Sequence, residues 1–250
     1  MSIRNPAGLA NHAGLLAALV VFTTLSSMPC QGQEPDSGRK RYPLTKSEVK
    51  RTPRFVVEVG EVPDAAKSKA WGEEARTVCE EWFPVLCKFL ATEQFTPPEV
   101  ITLVIKPDLK VPGATSGSTI TFSDSYITKH PDDFGMVIHE LVHVVQHYPR
   151  TNRNAGWLVE GIADYIRYWK YESEKPKGKL GDKASYRDGY STSAAFLAWM
   201  VWKYDRRTVR KLDAALRKGE YQEALFKEIT GKELPELWEE YRAEMKRETR

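Results

Sequence analysis

"MVIHELVHVVQHY", residues 136–148, places two of the chain's five histidines one helical turn apart, with a carboxylate beside the first. On a helix, positions four apart share a face. His139 and His143 can therefore aim both imidazoles at one ion. Glu140 sits about 100° around the axis, within reach of a water on that ion. Apolar residues flank these three polar ones. Pro131 with Asp132 and Asp133 is a good start for it, with negative charge at the positive end of the helix dipole. Pro149 ends it, at about Tyr148.

Two histidines are one ligand short of a catalytic zinc, which takes three protein ligands and keeps a fourth position open. His147 comes first in the chain, but it lies one more turn along the same helix, about 6 Å on and too far to close the shell. The three-histidine metzincin pattern asks for Gly where this chain has Gln146 and His where it has Pro149. Glu160 is the second candidate, seventeen positions after His143 in "WLVEGIADY". A turn at 150–156 lets the next predicted helix, 157–171, fold back on the first. Gly161 permits close helix contact. Asp164 shares the face of Glu160 and is placed to accept the second N–H of His139 or His143. A carboxylate on an apolar helix face is costly to bury without partners. Metal and histidines would supply them. The plainer reading of the two histidines is a hydrogen-bonded core pair, and the segment around Glu160 weighs against it. His130 and His147 are read as non-ligands. Trp157, Tyr165, Tyr168, Trp169 and Tyr171 recur at helical spacing and are read as core.

Outward from the motif, the pattern is strands first and helices later, which predicts an α+β domain over residues 53–250. "RFVVEV", 54–59, and "EVITLVIKP", 99–107, are strand candidates. Residues 62–91 have helical spacing, with Pro84 expected to kink or end the helix. "GSTITFSDSYIT", 117–128, alternates and reads as a half-exposed strand at a sheet edge. Beyond the motif, 190–204 is an apolar helix. The last helix carries Leu234, Leu237, Trp238, Tyr241 and Met245 on one stripe. Cys79 and Cys87 on one straight helix would lie about 12 Å apart along the axis, too far for a disulfide, so buried thiols are expected.

The N-terminus has the anatomy of an export signal over residues 1–32. Arg4 precedes "AGLLAALVVFTTL", 13–25, which is too short to span a bilayer as a helix. Cleavage is expected between Ser27 and Gly32, with a lipid anchor at Cys30 as the less favoured variant. Residues 33–52 read as a polar linker. Lys and Arg exceed Asp and Glu by 37 to 34. That balance is too mild for a nucleic-acid partner, which would need a clustered basic face. The basic run at 173–183 contains Pro and Gly and reads as a solvated loop.

"HELVHVVQHY", "LVEGIADYIRY", "DGYSTSAAFLAWM" and "ITGKELPELWEEY" resemble, in that order, the plant and bacterial basic secretory protein family. The wider pattern, HExxH with a Glu on a second helix, looks like the gluzincin branch of zinc metallopeptidases. The resemblance implies a zincin-like fold, a small twisted sheet, mostly antiparallel or mixed, over the HExxH helix and a helical part after it. It implies Zn2+ as cofactor and a peptide or protein as substrate. His139, His143 and Glu160 match the metal positions, and Glu140 matches the catalytic base that takes a proton from water and delivers it to the leaving amine. Related gluzincins place a Tyr just before a similar small-residue helix, so Tyr190 is the candidate oxyanion donor and Tyr186 the runner-up. The 117–124 strand would be the edge that pairs with a substrate backbone. A competing reading is a secreted binding or defence protein that keeps the fold with little turnover. A purely structural metal ranks last, because such sites favour Cys and no Cys lies near the motif.

Overall fold

The structure, a computed structural model, describes residues 51–149, 154–174 and 180–248. The predicted export signal, Cys30 and nearly all of the predicted linker lie outside the described residues. So do 150–153 of the predicted turn and 175–179 of the basic run.

β1 (Arg54–Val59) leads into α1 (Ala65–Phe89), which brings the chain back to β2 (Val100–Lys106). β1 and β2 run parallel, with Phe55 opposite Ile101. A parallel pair cannot be joined by a tight turn, and α1 supplies the crossover. A hairpin follows, β3 (Gly113–Ser116) and β4 (Thr119–Ser123), joined by Gly117 and Ser118. β4 pairs parallel with β2, so the sheet order is β1-β2-β4-β3. Of the two expected sheet types, mostly antiparallel or mixed, the sheet is the mixed one, with two parallel pairs and one antiparallel pair. Along β2 and β4, alternate residues Ile101, Leu103, Ile105, Ile120 and Phe122 are fully buried, as the two-residue period of a strand requires.

Two further expectations change. The strand predicted over 117–128 stops at Ser123, and α2 (Asp124–Lys129) takes over. Asp124 opens that helix and accepts a hydrogen bond from Ser68 on α1, a contact the local pattern could not reveal. β4 is also internal; the edges of the sheet are β1 and β3. Pro84 neither ends nor interrupts α1, which runs on to Phe89. A Pro inside a helix costs about 3 kcal/mol. Phe83, Leu86 and Leu90 around it are fully buried, and burial is worth about 1.5–3 kcal/mol for each such side chain, so packing wins. Cys79 and Cys87 are buried on this helix and no bridge joins them.

The rest is helical: α3 (Phe134–Gln146), α4 (Gly156–Ile166) continued by a π-helical turn (Arg167–Tyr171), α5 (Tyr190–Lys203), α6 (Thr208–Lys218), α7 (Ala224–Thr230) and α8 (Leu234–Glu248). The result is an α+β fold with a small mixed sheet and mostly helical content. α3 is the central element, packed against α1, α4 and the β3–β4 hairpin. Asp133 caps its N-terminus by accepting from the Met136 N–H. It ends at Gln146, because His147 adopts a left-handed conformation with φ 36°. Arg217 on α6 then donates to the carbonyls of Val145 and Gln146.

α4 and α5 approach closely at Gly161, where an added Cβ would lie 2.7 Å from Ser193 Cβ. Gly161→Ala is therefore expected to destabilise the metal-free protein by about 1–3 kcal/mol, the usual cost of overpacking. In calorimetry this is a Tm lower by roughly 2–10 °C. An unchanged Tm would mean that α4 and α5 can part without loss.

Candidate metal centre

His139 and His143 sit on successive turns of α3, and α4 packs alongside with Glu160 facing them. His139 Nε2 and His143 Nε2 are 3.1 Å apart. Glu160 Oε2 lies 3.2 Å from the first and 3.5 Å from the second. Among the described residues these three form the one group of His, Cys, Asp and Glu side chains arranged to hold a metal ion, with ligand atoms within 4.8 Å of one another. His139 is buried, and His143 and Glu160 are partly buried.

The donor chemistry fits a cation. His139 Nδ1 lies 2.7 Å from Asp164 Oδ1, and His143 Nδ1 lies 2.7 Å from the side-chain carbonyl Oε1 of Gln146. Both Nδ1 atoms face acceptors, so the hydrogen-bond network assigns a proton to each. Both Nε2 atoms then turn lone pairs inward, towards each other and towards Glu160. Three lone-pair donors this close repel unless a proton or a metal ion lies among them.

The charge balance agrees. Burial alone would lower the pKa of His139, but hydrogen bonds to Asp164 and Glu160 outweigh it and hold the value at about 9. Burial would raise Glu160, yet the two histidines pull it down to about 2. The raised value of His139 favours a proton on the cluster at neutral pH.

Glu140 follows His139 on α3 and is buried. The Thr115 hydroxyl on β3 lies 2.8 Å from Glu140 Oε2 and 2.9 Å from its main-chain carbonyl, so it can donate to either. Gly113, on the same strand, makes room for the side chain: a Cβ there would lie 2.9 Å from Glu140 Cγ. The edge strand and the candidate base are thus in direct contact.

Tyr190 opens α5, and its ring stacks on His139 at 6.0 Å between centroids, 16° from parallel. It is exposed, and its φ of 47° follows φ 77° at Gly189. A left-handed non-glycine residue costs on the order of 1–3 kcal/mol, and such residues are enriched at active sites. The Glu160 carboxylate, followed by partial burial, raises the pKa of its phenol. Tyr186, the runner-up, is instead buried among Trp157, Phe196 and Trp238. His130 and His147 are exposed and outside the cluster.

The structure thus brings together His139, Glu140, His143, Glu160, Asp164 and Tyr190, and leaves Tyr186 in the core. Sequence reasoning passes over Thr115 and Gln146 as site residues. The Gly117–Ser118 pair is a two-residue hairpin signal that could have located β3, and with it Thr115. Gln146 lies three positions after His143 on one helix face, which is a readable spacing.

Two imidazoles and a carboxylate from packed neighbouring helices, beside a small mixed sheet, define a protein with a candidate divalent-metal centre. The chain belongs to the family described as peptidase of plants and bacteria, whose model matches residues 55–241. This is the family its motifs resemble. No curated protein and no solved structure matches the chain.

Proposed function

We propose that the chain is an exported zinc-dependent peptidase of zincin-like fold. The observation that carries this reading is the convergence of three lone-pair donors, His139 Nε2, His143 Nε2 and Glu160 Oε2, next to a buried carboxylate on the same helix. The family's peptidase description supports it. Zinc held by these three residues would supply a Lewis acid that lowers the pKa of a water and polarises a peptide carbonyl.

The chain's own residues do the rest. Glu140 takes a proton from the attacking water at its carboxylate and passes it to the leaving amine. Thr115 and Gly113 hold that carboxylate in one conformation. Tyr190, stacked on His139, offers its hydroxyl to the developing oxyanion. Asp164 fixes the ring of His139 through Nδ1. The substrate backbone would add to the exposed edge of the sheet. That edge would be β3, Gly113–Ser116, which touches Glu140, rather than the predicted 117–124 segment, whose strand is internal. Among the described residues no helix is long and apolar enough to cross a membrane. Export rests on the N-terminal signal pattern alone.

Purified protein should bind one equivalent of zinc and cleave a mixed peptide pool. A chelator should abolish cleavage, and added zinc should restore it. Tight zinc binding with no cleavage of any peptide would favour the binding-protein reading instead.

A further inference from the structure

We propose that Gln146 is the positioning residue of the metal centre: one side-chain amide fixes both which nitrogen of His143 is free to bind metal and how far His143 stands from Glu160. The inference rests on the metal-centre reading above and adds to it a residue from outside the ligand set.

Gln146 is 2% exposed and is the last residue of α3. Its amide has two different ends, and each meets one partner. Nε2 donates to the main-chain carbonyl of Val159 on α4 at 3.0 Å. Oε1 faces His143 Nδ1 at 2.7 Å. A backbone carbonyl can only accept, so the NH2 end must point to Val159. The oxygen end is then forced towards His143. That oxygen can only accept, so Nδ1 must carry the proton and Nε2 must keep its lone pair for the cluster. A main-chain carbonyl on α4 thereby selects the tautomer of a histidine on α3.

The same amide also acts as a spacer. Val159 immediately precedes Glu160, so Gln146 bridges the second ligand to the backbone that carries the third. The distance it helps set is the 3.5 Å between His143 Nε2 and Glu160 Oε2. The backbone of Gln146 is itself held, because its carbonyl receives Arg217 at 3.2 Å. Arg217 is in turn anchored by the fully buried Asp213, which also accepts from the Ala91 N–H at 2.6 Å. His139 has a different device, a carboxylate at Nδ1 from Asp164.

The test has two arms. In the first, nitrogen-15 NMR of metal-free wild-type protein at about pH 8 reports which ring nitrogen of His143 carries the proton. The expected result is Nδ1–H, and a shift towards Nε2–H in Gln146→Met. In the second, zinc affinity is measured by competition with a chelator. Gln146→Met, similar in volume but without either amide end, should bind zinc about 10–100-fold more weakly. Gln146→Glu keeps an acceptor for Nδ1–H but loses the donor to Val159. It should keep the wild-type tautomer and lose part of the affinity. A wild-type His143 with no proton on Nδ1 would overturn the proposal, and so would a folded Gln146→Met with wild-type zinc affinity. The wild-type spectrum decides the point even if both variants fail to fold. Should wild type hold no zinc at all, the metal-centre reading falls, while the same spectrum still supports or overturns the role of Gln146.

Discussion

Replacing Glu140 by Gln is expected to lower kcat by about 10²–10⁴-fold, the range that a positioned general base contributes, and to leave zinc content unchanged. The two side chains are nearly the same shape. The amide oxygen can still accept from the Thr115 hydroxyl, and Gly113 leaves the same room for it. What the amide cannot do is take a proton from water. His139, His143 and Glu160 are untouched, so metal binding survives. The measurement is steady-state hydrolysis of a peptide pool beside metal analysis of the same preparations. Undiminished turnover in Glu140→Gln would place the base elsewhere. Loss of zinc together with activity would mean that Glu140 supports the metal rather than the proton transfer.

Stability of the metal-free protein is expected to fall as pH rises from about 6.5 to about 9. His139 has its ordinary pKa of 6.5 when unfolded and about 9 when folded. Burial works against that rise, and the hydrogen bonds to Asp164 and Glu160 overcome it. Because the folded state holds this proton more tightly, the stabilisation is complete below the unfolded pKa and gone above the folded one. Its size is on the order of 3 kcal/mol, or roughly 5–10 °C in Tm. Glu160 carries the opposite sign: with a folded pKa of about 2, its contribution is present above its ordinary 4.5 and lost only as pH falls through 2. It therefore leaves the alkaline window unchanged. Zinc bound by the proposed ligands would take the place of that proton, so zinc-loaded protein should not follow this decline. At a thousandfold excess of zinc over Kd the gain is about 4 kcal/mol. The gap between loaded and metal-free Tm should widen steadily across the window. A metal-free Tm that stays flat there would show that His139 holds no extra proton.

The parts of the site that the sequence reveals are those governed by helix geometry. His139 and His143 are four apart, and Glu160 and Asp164 are four apart, so each pair shares a face whatever the rest of the chain does. Packing one helix on the other then needs only Gly161 and a short connection. The parts that stay hidden depend on neighbours distant in the chain. Thr115 is twenty-five positions from Glu140, and β3 has no large apolar residue to mark it. The residues from Asp124 read as strand because Tyr126, Ile127 and Thr128 favour it, but a buried contact between Asp124 and Ser68, fifty-six positions away, accompanies the helix that forms instead. Pro84 fails to end α1 for a related reason, since the cost of its missing N–H is local and the burial that offsets it is not.

Arg217 closes the end of α3 from seventy-one positions downstream. During synthesis the two imidazoles leave the ribosome long before the guanidinium that locks their helix. A chain truncated before Arg217 is therefore expected to carry the whole signature motif and yet lack the side chain that caps the last carbonyls of its helix.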